Sequence, residues 1–74
     1  MQATLDLRGL RCPIPVLKAR KAFKALESGT VVTILVTDPS APNDFQDLCS
    51  VTGHDWQGME ALADHSRLTL RLKA

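Results

Sequence analysis

The chain is short and almost neutral, with 74 residues, nine basic and eight acidic side chains and a formal net charge of +1 at pH 7. Only much longer chains form more than one domain with separate hydrophobic cores, so we expect residues 1–74 to form one domain. The apolar share of 45% is ordinary for a globular protein and argues against disorder. No apolar run approaches the roughly 18 residues that span a bilayer, and the first residues do not resemble a signal peptide. We therefore expect a small cytoplasmic protein, with no membrane contact, that acts at an exposed site.

The charges are unevenly distributed along this nearly neutral chain. Six of the nine basic residues fall between positions 8 and 24, and no acid lies among them, whereas six of the acids lie between positions 38 and 64. The six basic residues are Arg8, Arg11, Lys18, Arg20, Lys21 and Lys24. We expect one positive face on the folded protein.

A strand-to-helix turn carries the first cysteine. The segment Thr4 to Leu7 alternates as a half-buried strand does, and apolar residues recur at helical spacing from Val16 to Leu26. Cys12 lies between them and is predicted to be the extended N-cap of this helix, since it precedes a proline.

The surroundings of Cys12 predict a presented, reactive sulfur. Pro13 and Pro15 suit a first helical turn and remove two donors, which leaves the N–H groups of Ile14 and Val16 nearest the sulfur. The positive end of the helix dipole and the adjacent Arg11 favour a thiolate. The pKa of Cys12 is therefore predicted to lie below that of Cys49.

The first helix is predicted to run from about Pro13 to Glu27 and to end through a left-handed glycine at Ser28-Gly29. Its inward stripe consists of Val16, Ala19, Phe23 and Leu26, with Ala22 beside it, and its outward side carries Lys18, Arg20, Lys21 and Lys24. Next, Val31 to Val36 is a β-branched run typical of a central strand.

The second half of the chain is predicted to hold one helix and two strands. Asp38-Pro39-Ser40 ends the preceding strand and starts the helix, which has Ser40 or Asn43 as its N-cap and ends at Gly53. A weaker strand is predicted from His54 to Leu62. From Arg67 to Leu72 polar and apolar residues alternate clearly, which predicts a strand with one buried face. The predicted fold class is α/β, an α+β two-layer sandwich in the order β-α-β-α-β-β, with two helices on one face of a four-stranded mixed sheet.

The segment Leu5 to Pro15 resembles the TusA/SirA family of small sulfur-carrier proteins. It holds a Cys-Pro-x-Pro box after a Leu-Asp-x-x-Gly-Leu-x lead-in, and Asp38-Pro39, the basic helix and the Phe45 to Cys49 helix are similar to the family as well. The resemblance covers essentially the whole chain and implies the same two-layer fold. It also implies that residues 1–74 are a single TusA-like carrier domain.

The resemblance implies a persulfide relay. Cys12 would accept sulfane sulfur from a donor such as a cysteine desulfurase or rhodanese-like protein and pass it to an acceptor protein, as a sulfurtransferase acting with partners. The sulfur could end in tRNA 2-thiouridine or in another trafficking route. Many members of the tRNA pathway have Glu where this chain has Ile14, a change that removes a negative charge near the sulfur and alters partner choice. We expect no cofactor, no metal, no direct nucleic-acid contact and a monomer.

The residues around Cys12 are expected to support it, and for the basic ones two interpretations remain open. Arg8 and Arg11 either stabilise the anionic sulfur or are solvated charges, and Asp6 is expected to orient the loop by accepting backbone or arginine hydrogen bonds. Pro13 and Pro15 are expected to stiffen the loop and hold the sulfur outward. The basic face of Lys18, Arg20, Lys21 and Lys24 either docks acidic partners or is simply solvated.

Some alternatives remain open at the level of sequence. Cys49 fits a core position better than a resolving thiol for Cys12, and two cysteines in a cytoplasmic chain are expected to be thiols. His54 and His65 lack zinc-site spacing. The competing functions are a redox or interaction adaptor that uses Cys12 in mixed disulfides and an RNA-binding module, which the neutral charge and few aromatics disfavour.

Overall fold

The computed structural model describes residues 2–73. Two helices and four strands follow one another as β1 (Gln2–Asp6), α1 (Ile14–Phe23), β2 (Val31–Val36), α2 (Ala41–Thr52), β3 (Asp55–Ala61) and β4 (Ser66–Arg71). The strands form one sheet in the order β1-β2-β4-β3, in which β1 and β2 are parallel and the other pairs are antiparallel. The predicted fold, two helices with a four-stranded mixed sheet, is confirmed.

The core lies between the sheet and the helices and is built on β2. Val32, Ile34 and Val36 alternate with half-buried neighbours and are at most 1% exposed. Their β-branched side chains suit a strand paired on both sides, and fully burying each contributes about 1.5–3 kcal/mol. The helices add Ala19, Phe23, Phe45, Leu48 and Cys49 to this core. Cys49 lies in the core as predicted, whereas Val16 and Leu26 of the predicted inward stripe of α1 are only half-buried.

Helix α1 is shorter than predicted at both ends. It ends at Phe23 instead of Glu27, and the next turns close through i→i−3 hydrogen bonds from Ala25 to Ala22 (3.0 Å) and from Leu26 to Phe23 (3.1 Å). The chain must leave the helix here because the amide of Gly29 bonds to the carbonyl of Leu72, at the end of β4 (3.1 Å). Gly29 is left-handed as predicted (φ 82°) but belongs to the turn before β2.

The boundaries of α2 follow the sequence closely. Ser40 is the N-cap, which decides between the two candidates, although its hydroxyl makes no capping bond. Gly53 ends the helix in the left-handed region (φ 86°), and its N–H bonds to the carbonyl of Cys49 (2.8 Å). Strand β3 has a register shift between Trp56 and Gly58.

A histidine fastens the end of the chain to the turn after α2. His54 Nδ1 accepts a hydrogen bond from the backbone N–H of Lys73 (2.9 Å), and its ring lies edge-on to Phe23 with centroids 5.4 Å apart. Burial, together with the charge of Lys73, lowers the pKa of His54 below 6.5. The neutral ring is the form that accepts this hydrogen bond, so the fold favours it.

We expect this histidine to make stability fall in mild acid. Because its folded pKa is lowered, its contribution is complete above the unfolded value of about 6.5 and is lost as the pH falls toward the folded value. Melting temperatures measured between about pH 7 and pH 5 should fall less in His54→Asn, whose amide oxygen takes the place of Nδ1 as the acceptor. An equal fall in both proteins would show that His54 contributes nothing. Asp6 affects stability only in stronger acid, because its pKa is lowered to about 2.

Candidate functional site

Cys12 lies exposed in the loop between β1 and α1, one position before the helix cap. The N-cap is Pro13 (φ −94°, ψ 10°), reached through a cis Cys12–Pro13 peptide bond, and no side chain caps the helix. The N–H of Ile14 donates to the carbonyl of Arg11 (2.8 Å) and is therefore not free for the sulfur. The prediction that Cys12 caps α1 is wrong: the cap falls on Pro13, and the sulfur lies beside the start of the helix.

A carboxylate from the next strand connection holds this loop. Asp38 follows β2, and its Oδ2 accepts the backbone N–H of Cys12 (2.5 Å). Its Oδ1 accepts both the N–H and the hydroxyl of Ser40 (3.0 Å each). Nearby, the N–H of Gly9 donates to Thr37 Oγ1 (2.8 Å). These bonds are possible because β1 and β2 are parallel neighbours, so the two loops leave the same edge of the sheet.

This role of Asp38 was not predicted from the sequence, in which Asp38-Pro39-Ser40 marks the start of a helix and Asp38-Pro39 is part of the family resemblance. The available signal was an acidic residue directly after a central strand that was predicted to run parallel to the strand before Cys12. The short side chain reaches the neighbouring loop only because of that pairing.

We expect Asp38→Ala to loosen the loop that carries Cys12. The substitution removes the acceptor for the Cys12 amide and for Ser40, and charge-assisted bonds of this kind are the stronger ones. Hydrogen exchange of the Cys12 amide, measured by NMR, should accelerate. Asp47→Ala, on the surface of α2, is the matched control and should leave that amide unchanged. Unchanged exchange in Asp38→Ala would show that the carboxylate does not hold the loop.

Acidic groups dominate the surroundings of the sulfur. The pKa of Cys12 is raised, chiefly by a hydrogen-bonding interaction with the carboxylate of Asp44, then by desolvation and the charges of Asp44 and Asp38, while Ser40 acts in the opposite direction. This direction is opposite to the one expected from Arg11 and the helix dipole, and since the pKa of Cys49 is raised as well, the order of the two pKa values stays a prediction. The helix dipole and Arg11 were visible in the sequence, whereas the approach of α2 to Cys12 arises only on folding.

Arg8 and Asp6 pair with each other beside the loop. Arg8 Nε lies 2.8 Å from Asp6 Oδ1 and Nη2 lies 2.9 Å from Oδ2, while the Arg8 N–H also donates to Oδ1 (3.2 Å). These bonds lower the pKa of Asp6 to about 2. Asp6 thus accepts the backbone and arginine bonds predicted for it. The pKa of Asp38 is lowered, chiefly by the backbone hydrogen bonds from Ser40 and Cys12, and the charge of Arg11 acts in the same direction.

Two surface depressions meet at Cys12. One is polar and is lined by the loop Gly9 to Cys12 and by the turn Thr37 to Ser40. The other is an apolar groove between α1 and α2, lined by Cys12, Pro13, Val16, Arg20, Asp44, Asp47, Leu48, Val51 and Thr52. Exposed apolar side chains lie on both helices, including Leu17 (55% exposed) and Val51 (86%). Pro15, one of the two prolines beside the cysteine, is fully buried and fixes this end of α1 to the core.

The predicted basic face is a solvent-exposed surface of the first helical segment. Lys18, Arg20 and Lys21 lie on α1 and Lys24 is its C-cap residue, and all four are exposed. Arg20 also lines the apolar groove, opposite Asp44 and Asp47. The groove is therefore lined by one basic residue on α1 and by two acidic residues on α2.

Cys49 is separated from this site by burial. It is 4% exposed within the core, and both cysteines are free thiols. Burial is the main cause that raises the pKa of its thiol. His65 lies elsewhere, where its Nδ1 is 2.6 Å from Asp64 Oδ1. Among residues 2–73 no group of three or more His, Cys, Asp or Glu side chains is arranged to hold a metal ion.

The part of the chain that the structure describes contains no helix long and apolar enough to cross a membrane.

Together the fold and the site define a small α/β protein that presents one cysteine at the meeting point of two surface depressions. The family model described as sulfurtransferase TusA matches residues 3–72. The chain therefore belongs to the TusA family of sulfur-carrier proteins, and sulfur transfer is the general activity of that family.

Individual relatives agree with this assignment. The sulfur carrier protein TusA of Pseudomonas entomophila is 38% identical, and the match covers 97% of this chain and 90% of that protein. The TusA protein of Allochromatium vinosum is 41% identical over 69% of this chain and 67% of its own length. A crystal structure of a SirA-like protein from Desulfitobacterium hafniense superposes with a TM-score of 0.82 at 32% identity, covering 97% of this chain and 99% of that one.

Proposed function

We propose that Cys12 carries sulfane sulfur as a persulfide, taking it from a donor protein and passing it to an acceptor protein. The observation that carries the proposal is the contrast between the two cysteines. Cys12 is exposed at the junction of two depressions, whereas Cys49 is buried in the core. A relay between proteins needs a sulfur that the active cysteines of two different partners reach in turn.

The donor in this proposal is a cysteine desulfurase or a rhodanese-like protein, and the chain acts as a sulfurtransferase that needs both partners for each turnover. The basic residues Lys18, Arg20, Lys21 and Lys24 lie along the exposed side of α1, the helix that begins next to Cys12, and suit acidic partner surfaces, since complementary charge accelerates encounter. Arg8 and Arg11 add positive charge along the same loop. Free thiols suit the reducing cytoplasm, where we place the reaction.

Within this proposal residues 1–74 act as one carrier domain and as a monomer, without a cofactor, a membrane or direct contact with nucleic acid. Thiolation of tRNA is one possible destination of the sulfur. The side chain of Ile14 is 41% exposed beside Cys12, where many tRNA-pathway members carry an acid. An apolar contact at this position favours a partner surface that differs from the one serving those members.

Intact-protein mass spectrometry tests the proposal. The reduced protein is incubated with a cysteine desulfurase and cysteine, and in parallel with a rhodanese and thiosulfate, and the products are mapped by peptide. We expect a gain of one sulfur atom on Cys12 that reductant reverses. No gain with either donor, although Cys12 still reacts with an alkylating agent, would contradict the carrier role. An adduct with the mass of glutathione or of a partner would instead support the mixed-disulfide adaptor.

A further inference from the structure

The apolar groove that begins at Cys12 continues along the two helices into a further depression. That depression is lined by Arg20, Phe23, Lys24, Leu48, Thr52 and His54. Arg20, Leu48 and Thr52 line both parts, so the two form one continuous channel, which we call the interhelical groove. The sulfur lies at one end of it, and the turn after α2 lies at the other.

The two helices run in the same direction along the interhelical groove. Strands β1 and β2 are parallel, and each leads into a helix that packs on the same core. Both helices therefore begin at the Cys12 end. From its N-cap Pro13 to its C-cap Lys24, α1 is about 17 Å long at about 1.5 Å per residue. An extended chain covers that distance with about five residues.

The middle of the interhelical groove is apolar. Leu48 and Phe23 line it and are 7% and 8% exposed, so they form its floor, and Val16 is half-buried beside them. Val51 also lines the groove, yet its side chain is 86% exposed. Because removal of apolar surface from water is favourable, this part of the groove suits an apolar side chain of a partner.

The charges of the interhelical groove change sign along its length. Asp44 and Asp47 line only the part next to the sulfur, Lys24 lines only the far part, and Arg20 lines both. Within residues 2–73 the ion pairs lie elsewhere, at Asp6–Arg8, Asp64–His65 and Glu60–Arg67. The charges of the groove are therefore available to a partner, with acids near the sulfur and bases away from it.

Resting on the proposed carrier function, we propose that the interhelical groove docks the segment of a partner protein that carries the partner's reactive cysteine, and that it docks this segment in one direction. The segment places its cysteine and a basic residue at the Asp44 end, an apolar residue at Val51 and an acidic residue at Lys24. The reversed charge order is rejected, because like charges would then face each other at both ends.

Two synthetic peptides of identical composition test the direction. Each begins with a cysteine activated as a mixed disulfide with thionitrobenzoate. In the forward peptide two arginines, two leucines and two glutamates follow, and in the reversed peptide the arginines and glutamates exchange places. The Cys12 sulfur attacks the peptide sulfur and loses its proton to the buffer, while thionitrobenzoate leaves with the electron pair as a coloured thiolate. Its absorbance gives the rate, and peptide mapping confirms the adduct on Cys12.

Each rate is divided by the rate of the same peptide with the neutral thiol 2-mercaptoethanol, which removes the intrinsic difference between the peptides. We expect the forward peptide to react severalfold faster than the reversed one with the full chain at low salt. The preference should shrink at high salt, because the charges are exposed and are screened.

A double charge reversal inverts the groove. Lys24→Glu combined with Asp47→Lys leaves the net charge of the protein unchanged, and both residues are exposed. In this variant the reversed peptide should react faster. The matched control combines Lys21→Glu with Glu27→Lys, two exposed positions that do not line the groove, and it should keep the preference of the unaltered chain. Circular dichroism confirms that both variants are folded.

Equal normalised rates of the two peptides with the unaltered chain would overturn the proposal. A preference that survives the double reversal would overturn it too, because the charge next to Cys12 alone would then select the peptide. Dimerisation of the chain that Val51→Lys abolishes would instead assign the groove to a second copy. The peptides carry no sulfane sulfur, so failure of the protein to load sulfur from a desulfurase would refute the carrier function and leave this result readable.

Discussion

Replacing Cys12 with serine is expected to abolish sulfur loading and to leave the fold intact. Serine cannot form the S–S bond that holds sulfane sulfur. The residue is exposed, and its hydrogen bond to Asp38 in the neighbouring loop uses the backbone N–H, which serine retains. The measurement is the same mass gain from desulfurase and cysteine, with circular dichroism and thermal melting to confirm the fold.

Cys49→Ala is the control for the Cys12→Ser variant. It removes the buried thiol from the core but leaves Cys12 and both depressions unchanged, so loading should persist in a slightly less stable protein. Loading of Cys12→Ser at the wild-type level would disprove the assignment of the carrier cysteine. Loss of loading in a folded Cys49→Ala protein would show that the second cysteine takes part in the relay.

Replacing Phe45 with alanine should lower the free energy of unfolding by about 3–5 kcal/mol. Phe45 is 0% exposed and lies in the single core between α2 and the sheet. The lost aromatic ring leaves a cavity that the other core side chains fill only partly. Natural domains are stable by about 5–15 kcal/mol, and a domain this small lies toward the lower end, so much of the protein would be unfolded near 37 °C.

Urea unfolding followed by circular dichroism measures this effect. Val51→Ala on the same helix is the matched control, since Val51 is 86% exposed and exposed positions usually change stability by less than about 0.5 kcal/mol. A loss below about 1 kcal/mol in Phe45→Ala would mean that the core relaxes around the gap. Because α2 also carries Asp44, partial unfolding of this helix would disturb the Cys12 site as well.

The strands were the best-predicted part of the fold. Val31 to Val36 was assigned to a central strand on its β-branched run alone, and these are the bounds of β2. The alternation from Arg67 to Leu72 lies within one residue of β4, and Gly53 ends α2 as predicted. Such features depend on local backbone preference and on burial of one face, and both are encoded in neighbouring residues.

The ends of α1 were predicted less well, because distant contacts set them. The apolar spacing continues to Leu26, yet the helix ends at Phe23 since Gly29 pairs with the far end of β4. At the other end the cap falls on Pro13 and the Cys12 amide is taken by Asp38, 26 positions further along the chain. Neither partner can be identified from the spacing around the helix itself.

By itself the sequence determined which sulfur is exposed, which fold carries it and which family the chain resembles, because a strand, two prolines and a basic helix surround Cys12 within a few positions. Only the tertiary structure decided the charge around that sulfur. The local sequence is basic and favours a thiolate, but parallel pairing of β1 with β2 brings Asp38 to the site, helix α2 brings Asp44, and the pKa of Cys12 is raised. Electrostatic interactions depend on distance in space, and the acids nearest this sulfur are far from it along the chain.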